Sequence, residues 1–284
     1  MQSKRRQLFA VSAIALAVAG VGSCSFMGMS FDIPQEAQVM TLTSEQLRCF
    51  EASSELTQPL DVDGVLRLSV WNIYKGALPG WQEELDSLTA KSDLVLLQEA
   101  SLHEDFRHYL DSKQWQVAMA NAFSLFDQSA GVLNLSRVEA LQSCAYLTTE
   151  PWLRLPKSAL YAEFPLSTGE VLAVVNLHGI NFTLGTEIYA EQLARLAQAL
   201  SEHEGPIIVA GDFNTWRKGR QKIVEAFAEK LGMQHAQFGD DYRTRVLGRP
   251  LDHLFYRGLT LENAEAPETD ASDHNPLWAQ FRLG

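Results

Sequence analysis

Apolar residues recur along this chain in two rhythms. Val65-Leu66-Arg67-Leu68-Ser69-Val70-Trp71 alternates and is rich in β-formers, which predicts a strand with Asn72 at its carboxyl end. Beyond Pro79, Trp81, Leu85 and Leu88 recur at i, i+4 and i+7 and predict a helix with one apolar face. Asp93-Leu94-Val95-Leu96-Leu97 is a short continuous apolar run, as expected of a strand covered on both faces, and it delivers Gln98 and Glu99 to its end. Residues 131–136, 158–164 and 171–177 also read as strands, the last ending at His178. Thr186 can cap a helix running to about Glu202, with Leu193, Leu196, Ala197 and Leu200 as its buried stripe. Pro206-Ile207-Ile208-Val209-Ala210 is another buried strand, broken by Gly211. A helix over 218–231 and strands over 251–256 and 277–281 complete the pattern. Strands outnumber helices, and polar residues gather at strand ends. The chain therefore reads as an α/β (α+β) fold of two packed β-sheets flanked by helices, with a site at one edge of the sandwich.

Composition narrows this picture. With 284 residues, 46% of them hydrophobic, the chain can bury one large core, and no linker or repeat divides it after residue 65. A single catalytic domain over residues 64–284 follows. The N-terminus is different: Lys4, Arg5 and Arg6 precede an uncharged, mostly apolar stretch from Leu8 to Phe31. That is the pattern of an export signal, and the stretch exceeds the ~20 residues that span a bilayer. Val21-Gly22-Ser23-Cys24 resembles a lipobox, in which the cysteine is lipidated. Residues 1–30 are thus expected to be a signal peptide or membrane anchor that places the catalytic domain on the periplasmic side, with residues 31–63 as a polar tether. The alternative is a buried N-terminal helix in a cytoplasmic protein. Cys49 and Cys144 can pair in an oxidising compartment or remain buried thiols. The formal charge of −12 excludes a global pull toward nucleic acid, but bound divalent cations and a local basic patch would still admit a nuclease.

Candidate chemistry sits where apolar runs end: Trp71-Asn72, Gln98-Glu99, Gly211-Asp212-Phe213-Asn214 and Ala271-Ser272-Asp273-His274-Asn275-Pro276. Glu99 is a hard oxygen donor suited to Mg²⁺, against the plainer role of a helix-start acid. Asn72 and the Gly-Asp-x-Asn turn can each be mere turn formers. A short Asn214 side chain can instead donate to a phosphoryl oxygen while Asp212 accepts a proton. The four motifs in this order read together as a metal-dependent phosphoesterase site.

On these residues, with His178 and Asp252, the chain from about Leu66 onward resembles the endonuclease/exonuclease/phosphatase superfamily, the fold of DNase I, abasic-site endonucleases, neutral sphingomyelinases and inositol-polyphosphate phosphatases. Trp71-Asn72-Ile73-Tyr74-Lys75, Leu96-Leu97-Gln98-Glu99-Ala100 and Gly248-Arg249-Pro250-Leu251-Asp252 further resemble a bacterial subgroup often called YafD-like. The resemblance implies a four-layer DNase I-like sandwich. It implies one Mg²⁺ or Mn²⁺ on Glu99, with Asn72 in the metal set and orienting Glu99 or the phosphate, and Asp273 as a second metal contact. It casts Asp212 as the group that activates water, Asn214 as a phosphate contact, and His274, held by Asp252, as the catalytic imidazole. His178 matches a histidine that contacts phosphate or protonates the leaving oxygen, and Asn176 matches less specific substrate-binding positions.

Lys157 can face substrate phosphate. The run Arg217, Lys218, Arg220 and Lys222 can do the same or simply form an exposed helix face, and His253 and Asn181, near motif positions, can serve the site or merely pack. The chain has no long basic, aromatic-rich insertion of the kind that grips duplex DNA. The expected activity is phosphodiester hydrolysis by metal-assisted water attack, nuclease-like or phospholipase C-like, in a membrane-attached monomer whose partner is a phosphate-ester substrate. The alternatives are a monoesterase acting on a sugar or inositol phosphate, and a silent scaffold, which would have lost a central group.

Overall fold

The computed structural model describes residues 31–52, 58–183 and 185–284; the expected leader with Cys24 lies outside them. The first half carries β1 (Phe31–Asp32), β2 (Gln38–Met40), β3 (Glu45–Leu47), β4 (Cys49–Glu51), β5 (Val65–Asn72), α1 (Trp81–Ala90), β6 (Leu94–Ser101), α2 (Glu104–Asp111), β7 (Gln116–Leu125) and β8 (Gln128–Ser136). The second half carries β9 (Gln142–Thr149), β10 (Pro156–Pro165), β11 (Val171–His178), α3 (Glu187–Leu200), β12 (Ile207–Asp212), α4 (Lys218–Lys230), β13 (Gln234–His235), β14 (Arg245–Val246), β15 (Arg249–Pro250), β16 (Asp252–Arg257), β17 (Thr260–Glu265) and β18 (Leu277–Arg282).

One sheet runs β17-β18-β5-β6-β8-β7-β2-β3, with β1 also on β7, and the other β13-β16-β12-β11-β10-β9-β4. Each contains one parallel pair, β5 with β6 and β11 with β12, joined by a crossover helix, α1 and α3 respectively. Alternate residues then face opposite layers. Leu66, Leu68 and Val70 meet Phe164, Leu172, Val174 and Ile208 between the sheets. Val95 and Leu97 face out beneath Trp81, Leu85 and Phe106 of α1 and α2. Val175, Leu177 and Val209 face out beneath Leu193, Leu196 and Phe227 of α3 and α4. Four layers result, and burial on both faces explains why the central strands read as unbroken apolar runs.

The expected tether is corrected in part. Residues 31–51 form short strands that extend both sheets, β2 on β7 and β4 on β9. At two or three residues each they have no periodicity to read; the sheet edges recruit them. Cys49 and Cys144 are register partners and form a disulfide, which settles the open alternative and staples this segment to β9. Helix α2 carries only Phe106, Tyr109 and Leu110 as buried residues, and its N-terminus is capped by His103 Nδ1 accepting from the Phe106 N–H. Thr186 stands at the N-cap of α3 without a side-chain capping bond, and that helix stops at Leu200. Among the described residues no helix is long and apolar enough to cross a membrane.

Candidate active site

The register of the second sheet aligns three of the candidate side chains. His178 is paired with Asp212 across the parallel β11–β12 ladder, and Asp212 with Asp252 across the antiparallel β12–β16 ladder. All three therefore reach one edge side by side. Gly211 makes the alignment possible: its φ is +140°, and a Cβ there would lie 2.0 Å from the Leu177 carbonyl oxygen, so only glycine fits. The first sheet supplies the facing half. Asn72 ends β5, and a bulge in the β6–β8 ladder between Leu97 and Ala100 turns Gln98 inward and Glu99 toward the edge. Glu99 has a left-handed φ of 52°, as do Tyr74, Lys75 and Asn214 at 51°, 61° and 52°, so strained backbone is concentrated here.

The two halves meet at Asp212. Its Oδ2 accepts from Asn72 Nδ2 at 3.2 Å and Asn214 Nδ2 at 3.3 Å, while Oδ1 accepts from the Asn214 N–H at 2.9 Å. His178 Nε2 lies 3.5 Å and His274 Nε2 4.0 Å from the same Oδ2. His274 is fixed from behind: Nδ1 is 2.8 Å from Asp252 Oδ2, Trp71 Nε1 donates to its carbonyl at 2.9 Å, and its N–H donates to Ser272 Oγ at 3.1 Å. Burial pushes the Asp212 carboxyl up to about 7 against the pull of His274. Burial opposes charge on His274 as well, but Asp252 and Asp212 outweigh it and hold the imidazole protonated well above the usual histidine range. His178 is held neutral by burial and by Lys157. Lys157 Nζ donates to His178 Nε2 at 3.0 Å, which places the remaining ring proton on Nδ1.

Glu99 stands among cations. Lys75 Nζ bonds its Oε2, Lys157 Nζ lies 3.7 Å from Oε1 and His178 Nε2 3.8 Å from Oε1. Burial opposes its charge, yet the ammonium groups of Lys157 and Lys75 hold it below the usual carboxylate range. Asp273 is exposed at the mouth, where burial of its carboxyl and the nearby Glu99 raise its pKa while His274 lowers it.

Two donor sets suit a divalent cation. Asp212, Asp252 and His274 offer ligand atoms within 4.8 Å of one another, all buried. The His274–Asp252 bond already occupies that set, however, and an imidazolium cannot ligate. Glu99, with Asp273 across the mouth, offers hard oxygens, and the two ammonium groups gathered on Glu99 show that this position draws positive charge. Oxygen donors of this kind fit Mg²⁺ or Mn²⁺.

The structure thus brings together Asn72, Glu99, Lys157, His178, Asp212, Asn214, Asp252 and His274, with Asp273 at the rim. Asn176 is a correction. It is fully buried between the sheets, where its Nδ2 donates to Leu97 O, Leu133 O and Asn134 Oδ1 and its Oδ1 accepts from Gln98 Nε2 at 2.7 Å. It ties the sheets together rather than lining the edge. Arg220 is buried with its guanidinium on the Ile180, Asn181 and Asn214 carbonyls, so it belongs to the scaffold. His253 and Asn181 also pack, bonding Thr215 and Trp216. Lys75 is the residue that strand-end reasoning missed; its signal was a cation three residues beyond Asn72 inside a motif already singled out.

Comparison with known proteins agrees with this geometry. The profile of the Endonuclease/Exonuclease/phosphatase family matches residues 69–274. A UPF0294 protein of Vibrio campbellii is 46% identical over 282 residues, covering 98% of each chain. An endonuclease/exonuclease/phosphatase from Bacteroides vulgatus superimposes with a TM-score of 0.62 at 20% identity, over 78% of this chain and 99% of that one. The catalytic domain of human Nocturnin, solved with a bound sulfate anion, superimposes at 0.59 and 20% identity, over 79% and 96%.

Proposed function

The chain belongs to the endonuclease/exonuclease/phosphatase family, and from that premise we propose that it is a divalent-metal-dependent phosphodiesterase. The observation that carries this reading is the convergence on Asp212 Oδ2. A carboxylate with a pKa near 7 accepts from two amides and faces two imidazoles, and His274 among them is charged. Asp212 takes a proton from water, the water oxygen bonds phosphorus, and the opposite P–O ester bond breaks. His274 presents Nε2–H to a phosphoryl oxygen as charge builds, and Asp252 keeps it oriented. The leaving oxygen takes up a proton, for which Lys157 Nζ beside His178 is placed. A Mg²⁺ or Mn²⁺ ion held by Glu99, with Asp273 near, would supply charge stabilisation on the phosphate.

Charge favours a diester over a monoester. With Asp212 in the deprotonated form that accepts the water proton, the carboxylates Glu99, Asp212, Asp252 and Asp273 face the cations Lys75, Lys157 and His274, which leaves one negative charge. A divalent cation turns that into one positive charge, the complement of a phosphodiester monoanion rather than of a monoester dianion. Attachment to the periplasmic side of a membrane is part of the proposal; the Cys49–Cys144 disulfide supports an oxidising compartment.

The test is hydrolysis of bis-p-nitrophenyl phosphate and p-nitrophenyl phosphate by the full chain with Mg²⁺, Mn²⁺ or EDTA. Diester turnover should require metal and fall roughly 10²–10⁴-fold in Asp212→Asn. Faster cleavage of the monoester would replace this reading with the phosphatase one. Silence of a folded, metal-binding chain on both compounds would overturn it.

A further inference from the structure

The catalytic edge carries a second pattern that the hydrolytic groups do not use. Of the nine large apolar side chains exposed among the described residues, five stand on the connections that leave the second sheet at this edge: Trp152, Phe182, Tyr242, Val246 and Leu247. Trp152 lies between β9 and β10, ahead of Lys157. Phe182 follows His178, and the other three lie on or beside the β14–β15 hairpin that leads into Asp252. Because β16, β12, β11, β10 and β9 are successive neighbours, a strand spacing of about 4.8 Å makes this a row about 20 Å long. Single exposed apolar residues are ordinary, whereas a row on one edge marks a contact surface.

The hairpin tip is the most telling part. Leu247 and Gly248 alone connect β14 to β15, and both have positive φ, 51° and 77°. Such two-residue turns favour Asn-Gly or Asp-Gly. A leucine there is strained in its backbone and 80% exposed. The fold gains from neither property, so the use of this side chain lies outside the folded chain.

Charge and chain path point the same way. Arg154 beside Trp152 and Lys218 at the start of α4 are exposed on this edge of a protein of net charge −12. The nearby Asp241 is engaged by Arg243 at 2.8 Å and Arg245 at 2.6 Å. The N-terminal segment also arrives here. Phe31 pairs with Leu125 at the β7–β8 turn, the end of that hairpin where Ala100 and Ser101 follow Glu99. Phe31 is seven positions after Cys24, a reach of at most ~25 Å.

We propose that this edge docks on a bilayer and that the diester cleaved is that of a membrane phospholipid. Trp152, Phe182, Tyr242, Val246 and Leu247 enter the lipid interface, and Arg154 and Lys218 meet anionic headgroups. The leader and the rim then address the same membrane, with the site between them. Docking stands on its own; only the choice of substrate rests on the phosphodiesterase reading.

The test uses the full chain in a Cys24→Ser background, labelled with an environment-sensitive fluorophore at Leu247→Cys or, as a control at the opposite end of β5, at Val62→Cys. Both are placed in vesicles of phosphatidylglycerol and phosphatidylcholine with brominated acyl chains. The label at 247 should be quenched roughly twofold or more beyond that at 62, as burial in the interface requires. Equal quenching at both positions overturns docking, and a response at 247 to single-stranded DNA but not to vesicles assigns the edge to nucleic acid instead. In unlabelled chain, Leu247→Asn, which suits the turn, should lower hydrolysis of vesicle phospholipid about 10-fold while leaving hydrolysis of bis-p-nitrophenyl phosphate unchanged. An equal loss on both substrates, or none on vesicles, overturns the substrate assignment. Insertion without any diester turnover would refute the catalytic reading alone.

Discussion

Replacing Asn176 by alanine should unfold this protein more readily without touching its chemistry. The amide makes four hydrogen bonds between the sheets. On its removal Gln98 Nε2 keeps a bond to Leu96 O at 3.2 Å, but Asn134 Oδ1 loses its donor. Asn134 Nδ2 and Gln98 Oε1 already lack a protein partner, so the buried Asn134 amide would be left with none. Each newly unsatisfied buried group costs about 1–3 kcal/mol, and the vacated volume adds to that, so a loss of ~3–5 kcal/mol is expected. For a domain of this size such a loss lowers Tm by about 8–15 °C. Thermal and urea denaturation followed by far-UV circular dichroism under oxidising conditions would measure it. KM for a soluble diester should stay at the wild-type value in the folded fraction. A variant within ~2 °C of wild-type Tm but with raised KM would show that Asn176 meets substrate and that the inter-sheet tie is misassigned.

Three further expectations follow from the geometry. Asp252→Asn removes the charge-assisted bond to His274 and should lower kcat roughly 10–100-fold with little change in KM, while the His274 imidazole, observed by NMR, titrates nearer its usual range; unchanged titration would refute the dyad. Reduction of Cys49–Cys144, or its double serine variant, reopens a 95-residue separation and should remove about 4–5 kcal/mol; an unchanged urea midpoint would show that the clasp is idle. His253 is held well below the usual histidine range, first by burial and then by His235, and His235 is pushed down to about 4 by burial and Arg243. An unfolded histidine binds its proton near 6.5, so this stability is complete above that pH and lost as pH falls toward 4. The amount should be on the order of 2 kcal/mol, and a His235→Gln chain with an equally steep fall in Tm between pH 7 and pH 5 would contradict the account.

The residues themselves determined much of this molecule. Continuous runs such as Leu94–Leu97 and Ile207–Ala210 announce strands buried on both faces, because a side-chain period of two leaves no polar face when helices cover both sides. The motifs at their ends named the acids, amides and histidines of the site, because a strand that stops at a sheet edge must present its next side chain there. What depends on partners distant in sequence was decided only by the tertiary structure. Asn176 and Asn214 both follow an apolar residue, yet the first, inside β11, is sealed between the sheets and the second, two positions past the end of β12, faces Asp212. Arg220 and Lys218 are two positions apart in one basic run, but helix α4 buries the first beneath the Asn181 loop and leaves the second in solvent. The short strands before residue 52 have no pattern of their own and exist because the sheets offer open edges and a cysteine on β9 holds them. Local pattern specifies which face of an element is apolar; which groups share a site is settled by contacts across 140 residues, as between Asn72 and Asp212, and no local signal encodes them.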